Sequence, residues 1–294
     1  VVYIGTNSGY LHAFDTETGK EGFSVIPYEL LSNAKSYLNP ESTSSLDKIY
    51  GLDGPITYWH DDSNLNGVVD SNESVYLYVG MRRGGHSYYA FDVTNPDNPS
   101  LKWSKHGVYT DTSKNIPSVS NGYESLGQTW SALKPVLVNY GNDTKVVLLA
   151  GGGYDELEDN SNSVRQQNTV GNTIFAIDAE TGDVLWDAYK AHPELNSSMT
   201  NSFASDITPI DRNNDGYIDM LYAADTGGRI WRFDFKNLSE TSGGVIADIN
   251  DSDSEGAGGN RRFFVRPDVS YVKTKIKSQI EVNGEKKVTY TPIS

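Results

Sequence analysis

Cysteine is absent from this chain of 294 residues, and methionine is scarce, with only three. Without cysteine the chain has no disulfide, no thiolate nucleophile and no cysteine-ligated zinc. Its five histidines are scattered along the chain. They show neither the HxH nor the HExxH spacing that is typical of metals bound by histidine. Thiol chemistry and a histidine metal centre are therefore not expected.

Long hydrophobic runs are also missing, since no stretch approaches the roughly 18 apolar residues that a membrane-spanning helix requires. Basic charge is in short supply: 24 Lys and Arg face 39 Asp and Glu, so the formal net charge is −15. An anionic chain repels phosphate backbones and anionic lipids, so nucleic acid and membrane surfaces are not expected as partners. Metal cations suit such a surface better.

The most specific pattern in the chain is DRNNDGYID at residues 211–219. Calcium binds about six to eight oxygen atoms, and alternate residues of a tight loop can supply them. Gly216 allows the sharp turn that this arrangement needs. The alternative interpretation is a solvated cluster of Asx turns between two strands. The spacing predicts oxygen ligands from four side chains and one backbone carbonyl: Asp211, Asn213, Asp215, Asp219 and the carbonyl of Tyr217.

A second loop of the same type lies upstream, in the run DDSNLNGVVDSNE. Glu73 stands where the pattern expects a bidentate carboxylate, whereas two asparagines lower the charge and weaken the expected binding. A surface turn rich in Asn and Ser is the alternative. The predicted oxygen donors of this second candidate site are Asp62, Asn64, Asn66, the carbonyl of Val68, Asp70 and Glu73.

Neither loop is expected to belong to an EF-hand, because that motif requires a helix on each side. The residues that follow each loop read as strands, since apolar and aromatic residues dominate there. We therefore interpret a calcium loop between strands as a structural staple rather than as a sensor that opens a groove.

Four segments repeat one pattern: an apolar strand, a glycine-rich turn, and a strand that ends in an aromatic residue or isoleucine followed by aspartate. They begin near residues 1, 76, 146 and 221. Such strands and turns predict antiparallel hairpins, and their repetition with insertions predicts a β-propeller. Because propeller blades pack face to face, the tryptophans of these repeats are predicted to be core residues: Trp103, Trp186 and Trp231.

Three of these motifs also resemble a known family. The stretches YIGTNSGYLHAFD, YVGMRRGGHSYYAFDVT and DRNNDGYIDMLYAADTGGRIWRFDF are similar, in that order, to the C-terminal domain of the PilC/PilY type IV pilus biogenesis proteins and tip adhesins. The resemblance extends from residue 1 to about residue 235 and weakens after that. It implies an all-β fold, a modified seven-bladed quinoprotein-like propeller, and leaves open whether this chain contains every blade.

The resemblance implies Ca²⁺ as the cofactor and regulation of pilus extension and retraction, twitching motility and host-cell adhesion as the function. Major or minor pilins and the host-cell surface are the implied partners. The implied location is the bacterial cell surface, at the pilus tip or the outer membrane. The family's calcium ligands match Asp211, Asn213, Asp215, Tyr217 and Asp219 of this chain.

Two other propeller classes fit parts of the pattern. Quinone-dependent dehydrogenases have similar tryptophan repeats and bind calcium, but through dispersed residues, and many carry an adjacent cysteine pair that this chain lacks. A periplasmic scaffold for outer-membrane assembly is the second alternative, and contiguous calcium loops argue against it. We expect a single non-enzymatic propeller domain over residues 1–294, excised from a longer secreted protein.

Two further features remain. Neighbouring arginines at Arg82 and Arg83 stand out in an acidic chain. We interpret both as bridging carboxylates of the blades, and contact with an acidic partner is the alternative. The run DINDSDSEGAGG at residues 248–259 has an irregular ligand spacing, which favours a solvated loop over a third cation site.

Overall fold

The computed structural model describes residues 1–38, 48–109, 117–141, 143–160, 165–250, 260–270, 274–282 and 285–293, the last two segments as backbone. Most of the acidic, glycine-rich run at 248–259 lies outside the described residues, so its interpretation as a solvated loop stays a prediction. Within the described segments, no helix is both long and apolar enough to cross a membrane.

Antiparallel strands account for most of the regular structure, as the alternation of apolar and polar residues predicts. The strands of the first three sheets are β1 (Val2–Gly5), β2 (Leu11–Phe14) and β3 (Glu21–Val25); β4 (Ile56–His60), β5 (Val75–Gly80), β6 (Ser87–Asp92) and β7 (Ser100–His106); β8 (Lys134–Tyr140), β9 (Asp143–Gly151), β10 (Ile174–Asp178) and β11 (Val184–Asp187). Those of the last two sheets are β12 (Thr208–Ile210), β13 (Met220–Ala224), β14 (Arg229–Asn237) and β15 (Glu240–Asp248); β16 (Thr274–Val282) and β17 (Glu285–Ile293).

Helices are short and lie in the connections. The α-helices are α1 (Ala34–Leu38) and α2 (Ala188–Ala191), and the 3-10 turns are Tyr28–Asn33, Arg82–Gly84, Glu156–Asn160 and Pro193–Leu195. Asp187 caps α2, because its side chain accepts hydrogen bonds from the N–H groups of Tyr189 and Lys190. None of these helices interrupts a sheet.

The first four sheets are meanders whose sequential strands pair with one another, and we call them the first to fourth blades. The repeats of the sequence form equivalent hairpins in them: β1–β2, β5–β6, β9–β10 and β13–β14. The predicted hairpins are thus confirmed. Among the described strands, the first blade has three and the next three blades have four each, so β4, β8 and β12 have no described counterpart in the first blade.

Three apolar clusters fill the spaces between consecutive blades. This arrangement follows from the alternation of each strand, which presents apolar side chains to the neighbouring blade. The predicted core tryptophans lie in these clusters and are confirmed as buried: Trp103, Trp186 and Trp231 are 8%, 5% and 0% exposed.

Two of the tryptophans also connect neighbouring blades by hydrogen bonds. In the second blade, Trp103 Nε1 donates to the carbonyl oxygen of Ala179 in the third blade at 3.1 Å. In the third blade, Trp186 Nε1 donates to Thr241 Oγ1 in the fourth blade, also at 3.1 Å. Buried indole N–H groups need such partners, so each ring contributes apolar packing and a directional contact between blades.

The two neighbouring arginines have different surroundings. Arg83 forms a bidentate ion pair with Asp159, with both N–O distances at 2.8 Å, as predicted for a residue that bridges blades. Arg82 is exposed and forms no ion pair with any residue in the described ranges; its Cζ atom lies 4.8 Å from the centre of the Trp130 ring. Carboxylate bridging is therefore confirmed for Arg83 only.

Candidate metal-binding loops

The two candidate calcium loops occupy equivalent places in two different blades. Residues 62–73 connect the first and second strands of the second blade, β4 and β5, which pair antiparallel. Residues 211–219 connect β12 and β13, the first and second strands of the fourth blade. The prediction of calcium-type loops between strands, outside any EF-hand, is confirmed for their position. Their equivalence in the fold was not evident from the sequence.

Asp211 organises the loop at residues 211–219. Its Oδ1 atom accepts hydrogen bonds from the N–H groups of Asn214 (2.7 Å) and Asp215 (3.2 Å). Its Oδ2 atom accepts one from Gly216 N–H at 2.8 Å. Asn214 and Gly216 adopt φ values of 60° and 92°, in the left-handed region that Gly and Asn tolerate best. The chain thus wraps tightly around one carboxylate.

The remaining polar side chains continue this pattern. Asn213 Oδ1 accepts from the N–H of Asp215 at 2.8 Å, and Asp215 Oδ1 accepts from the N–H of Tyr217 at 2.9 Å. Asp219 closes the loop, because its Oδ2 atom accepts from the N–H groups of Arg212 (2.6 Å) and Asn213 (3.3 Å). Backbone N–H groups therefore turn all four predicted side-chain ligands toward the loop.

The C-terminal end of this loop packs against the core between the blades. Ile218 is 9% exposed and belongs to the apolar cluster between the third and fourth blades. Its N–H donates to the carbonyl of Leu137 in β8 at 3.1 Å, and the N–H of Phe235 donates to the carbonyl of Asp219 at 2.7 Å. Sequence reasoning missed this attachment, although an isoleucine between polar ligands is a visible signal for it.

The loop at residues 62–73 repeats the same hydrogen-bond pattern. Asp62 accepts from the N–H groups of Asn66 (3.0 Å) and Gly67 (2.8 Å) through its two oxygens. Asn64 Oδ1 accepts from the N–H of Asn66 at 3.0 Å. Leu65 and Gly67 have φ values of 56° and 73°, so the left-handed positions also match those of the other loop.

The hydrogen bonds of the two loops also match at the seventh loop residue, and they differ at the ninth. The N–H of Val68 donates to Asn66 Oδ1 at 2.6 Å, which corresponds to the Tyr217–Asp215 contact. Asp70, however, is held by side chains: the amide groups of both loop asparagines donate to its Oδ2 atom, at 2.7 and 3.0 Å. The two loops therefore use their ninth residue differently.

Glu73, and not Asp70, closes the loop at residues 62–73 in the way that Asp219 closes the loop at residues 211–219. It is 4% exposed. It accepts from Ser63 N–H (3.0 Å), Ser63 Oγ (3.1 Å) and Asp70 N–H (3.1 Å), and His60 Nε2 lies 3.3 Å from Oε2. The hydrogen bond from the N–H of Asp70, followed by those from Ser63 and His60, holds the pKa of Glu73 below its usual value.

The chemistry of the donors fits a hard cation in the loop at residues 211–219. Asp211, Asp215 and Asp219 form no ion pair with a Lys, Arg or His among the described residues, and the Asn213 amide nitrogen donates a hydrogen bond to Asp215 Oδ2 at 3.0 Å. No group of three or more Asp, Glu or His side chains among the described residues is placed to hold a metal ion, and this includes the three aspartates of this loop. A cation here would therefore depend on the Asn213 amide and on backbone carbonyl oxygen as well.

Comparison with known proteins agrees with the all-β propeller architecture. A family model described as the PilY1 beta-propeller domain matches residues 1–268. The match extends past residue 235, where the motif resemblance weakens. It covers all four blades and the candidate loops, and it ends before the hairpin of β16 and β17.

Individual relatives are similar over most of this chain. A type IV pilus biogenesis factor PilY1 homolog of Xylella fastidiosa (strain Temecula1) is 29% identical over 237 residues, which cover 81% of this chain and 16% of the homolog. PilY1 of Pseudomonas aeruginosa (strain PAO1) is 28% identical over 233 residues, or 79% of this chain and 17% of that protein. The chain thus spans about a sixth of the length of these curated relatives.

A solved structure is also similar in part. The crystal structure of the Pseudomonas aeruginosa PilY1 C-terminal domain matches with a TM-score of 0.49 and 24% sequence identity. The match covers 79% of this chain and 38% of that chain.

Proposed function

Because the chain belongs to the PilY1 β-propeller family, whose model matches residues 1–268, we propose that it is a type IV pilus-associated module that binds calcium in the loop at residues 211–219. The observation that carries the calcium proposal is the turning of four acidic and amide side chains toward one loop by backbone N–H groups. Family membership favours this function over the dehydrogenase and scaffold alternatives.

Calcium would supply the counter-charge that the three aspartates do not receive from an ion pair among the described residues. The negative charges of the three aspartates repel one another unless a cation balances them. A bound metal adds its binding free energy to the folded state, and at hundredfold excess over its Kd it stabilises by about 2.7 kcal/mol. Its proposed ligands are Asp211, Asn213, Asp215, the carbonyl of Tyr217 and Asp219.

The attachment of the loop suggests how calcium would affect function. Ile218 and Asp219 connect the loop to β8 and β14, so an ordered loop stiffens the junction of the third and fourth blades. We propose that a pilus component contacts this ordered region, and that calcium thereby regulates pilus extension and retraction. Twitching motility and attachment to host cells would then depend on the same loop at the bacterial surface.

We propose a weaker cation site in the loop at residues 62–73. Two of its ligand positions are neutral asparagines, and the carboxylate of Glu73 already accepts several protein hydrogen bonds. Unlike Asp219, which accepts from two backbone N–H groups, Glu73 also accepts from a hydroxyl and an imidazole, so a metal would have to displace or share more bonds here. The proposed donors remain Asp62, Asn64, Asn66, the carbonyl of Val68, Asp70 and Glu73.

Calorimetric titration of chelator-treated protein with calcium chloride tests the proposal. Wild type is compared with Asp211→Ala and with the matched variant Asp62→Ala, which removes the first carboxylate of the other loop. We expect the dominant binding event to disappear in Asp211→Ala and to persist in Asp62→Ala. The reverse result would move the main site to residues 62–73, and no binding to wild type would refute the calcium proposal.

The pilus role is tested separately in the bacterium. Asp211→Ala and Asp62→Ala are introduced into the full-length chromosomal gene, and surface piliation and twitching are measured. We expect a loss of twitching in Asp211→Ala at unchanged protein abundance. Normal piliation and twitching in a full deletion of the gene would refute the pilus role even where calcium binding is confirmed.

A further inference from the structure

An open cleft of about 470 Å³ lies where the connections leading into the first strands of three blades meet. Its walls come from the segments before β4, β8 and β12, from the turn between β5 and β6, and from a later segment at residues 264–266. The side chains that matter for its chemistry are Asp53, Arg82, Trp130, Asp206, Phe264 and Arg266. The cleft contains none of the candidate calcium ligands.

Arg82 is positioned at this cleft by its backbone and by an aromatic stack. Its N–H donates to the carbonyl of Thr129 at 3.1 Å, and its φ of 51° lies in the left-handed region that is costly for arginine. The guanidinium lies over Trp130, which stacks on Tyr154 with ring centres 4.5 Å apart. A charged side chain held this way, yet exposed and without a carboxylate partner in the described structure, is available to a ligand.

A second guanidinium lines the same cleft. Arg266 is exposed and has no ion-pair partner among the described residues. Its segment is attached to the fourth blade, because Thr208 Oγ1 donates to the carbonyl of Pro267 at 2.6 Å. In a neighbouring pocket that shares Asp206 and Arg266 with the cleft, burial and then Arg266 lower the pKa of Lys134, whereas Asp206 opposes them. Two guanidinium groups without an ion pair among the described residues thus line one cleft, in a chain whose net charge is −15.

Asp53, one of the residues that line the cleft, has one unused acceptor. The Oδ1 atom of Asp53 is buried and forms no hydrogen bond within the described residues. Burial raises the pKa of Asp53, and the neighbouring charge of Arg82 opposes this shift. Asp206, in contrast, already accepts a hydrogen bond from the N–H of Ala132 at 2.7 Å. A buried acceptor without a donor is costly, and a ligand N–H or O–H would remove that cost.

We propose that this cleft binds a carboxylate group, held by the guanidinium groups of Arg82 and Arg266, with Asp53 accepting a hydrogen bond from an N–H or O–H group beside it. Guanidinium matches carboxylate geometry through paired N–H donors, and its planar shape favours this recognition over a simple point charge. An acidic residue of a peptide carries both groups, since its backbone N–H lies close to its side-chain carboxylate. A small free carboxylate with an amide, such as N-acetylglutamate, carries the same chemistry.

Calorimetric titration at low salt distinguishes these sources and tests the site. The probes are an acetylated, amidated peptide with two adjacent glutamates, the same peptide with glutamines, and N-acetylglutamate. We expect the glutamate peptide to bind and the glutamine peptide to bind at least about tenfold more weakly, since about 1.4 kcal/mol corresponds to tenfold. Equal binding of N-acetylglutamate assigns the site to small carboxylates, whereas binding of the peptide alone assigns it to acidic peptides.

Variants of the two neighbouring arginines provide the matched control. Arg82→Gln and Arg266→Gln should each weaken binding about tenfold, because each removes a charge-assisted pair. Arg83→Gln removes the same charge next in sequence, but its guanidinium is already paired, so we expect a change of less than about twofold. Arg82→Gly suits the left-handed backbone and tests the same loss if Arg82→Gln does not fold.

Three results would overturn the proposal. Absence of binding by wild type to any of the carboxylates is the first. The second is unchanged affinity in both Arg82→Gln and Arg82→Gly, with folding checked by thermal unfolding. The third is an equal loss in Arg83→Gln, which would mean that overall charge, and not this cleft, attracts the anion.

Discussion

The second and fourth blades carry the same loop between their first two strands, and the two loops differ in the carboxylate that closes them. Glu73 of the second blade is buried and accepts hydrogen bonds from a backbone, a hydroxyl and an imidazole partner. Asp219 of the fourth blade accepts only from two backbone N–H groups among the described contacts. Because the protein itself already holds the closing carboxylate of the loop at residues 62–73, we expect a cation to stabilise that loop less than the loop at residues 211–219, whose aspartates form no ion pair among the described residues.

The same two blades also differ at the next turn, between their second and third strands. In the second blade this turn presents Arg82 to the surface cleft. In the fourth blade it buries Asp225, which is 0% exposed and accepts from the N–H of Arg229 and from Trp231 Nε1, both within the blade. The equivalent turns thus place a charged side chain at the surface in the second blade and in the interior in the fourth blade.

The largest expected effect concerns the contacts between blades. Trp186→Ala removes a buried ring and its hydrogen bond to Thr241, so we expect the free energy of unfolding to fall by about 3–5 kcal/mol. Trp103→Ala, the equivalent change between the second and third blades, should cost a similar amount. Urea unfolding followed by fluorescence measures both. A loss below about 1 kcal/mol in either variant would contradict the role of that ring in joining blades.

A pH effect is expected from the buried turn of the fourth blade. Burial raises the pKa of Asp225 from its ordinary 3.8 to about 6. The folded state then holds the proton more tightly than the unfolded state, so this stabilising contribution is complete below pH 3.8 and is lost as the pH rises through 6. Over this window the loss is about 3 kcal/mol.

Asp225→Asn should abolish that loss, because the amide does not titrate. The difference in unfolding free energy between variant and wild type is measured from pH 3.5 to 7 in metal-free buffer, a range of about 3 to 4 units that spans the titration. We expect the variant to become relatively more stable as the pH rises. A difference that does not change with pH would show that Asp225 titrates normally.

Calcium should sharpen the comparison between the two loops. At hundredfold excess over its Kd, calcium should raise the free energy of unfolding of wild type by about 2.7 kcal/mol. Asp211→Ala should lose this increase and Asp62→Ala should keep most of it. The measurement is urea unfolding with and without calcium, and equal behaviour of the two variants would contradict the distinction drawn between the loops.

The smallest expected effect concerns the carboxylate that closes the second loop. Its lowered pKa means that Glu73 stabilises the fold above the unfolded value of 4.5, and that this stability is lost as the pH falls through the lower folded value. Glu73→Gln should therefore lower the Tm at pH 7 without calcium and change it little in acid. Asp219→Asn is the matched variant, and a larger loss there would reverse the comparison.

Local patterns in the sequence predicted a large part of the fold. The hairpins follow from alternation and glycine turns, and the three tryptophans were correctly placed in the core. The ligand spacing of both loops was readable because loop residues contact one another within about a dozen positions. Arg83 pairs with a carboxylate as predicted, whereas the pairing predicted for Arg82 was wrong, because Arg82 is exposed and forms no ion pair among the described residues.

What the sequence by itself determined is the set of strands, turns and ligand-spaced loops, because these depend on neighbours along the chain. Only the tertiary structure decided which loop is closed by buried protein contacts, which of the two neighbouring arginines forms an ion pair within the described residues, and that Asp225 is buried. Those properties depend on residues far apart in sequence, such as Leu137 beside Ile218 and Asp159 beside Arg83. Burial and pairing set the free energy of a charge, and both are properties of the packed blades.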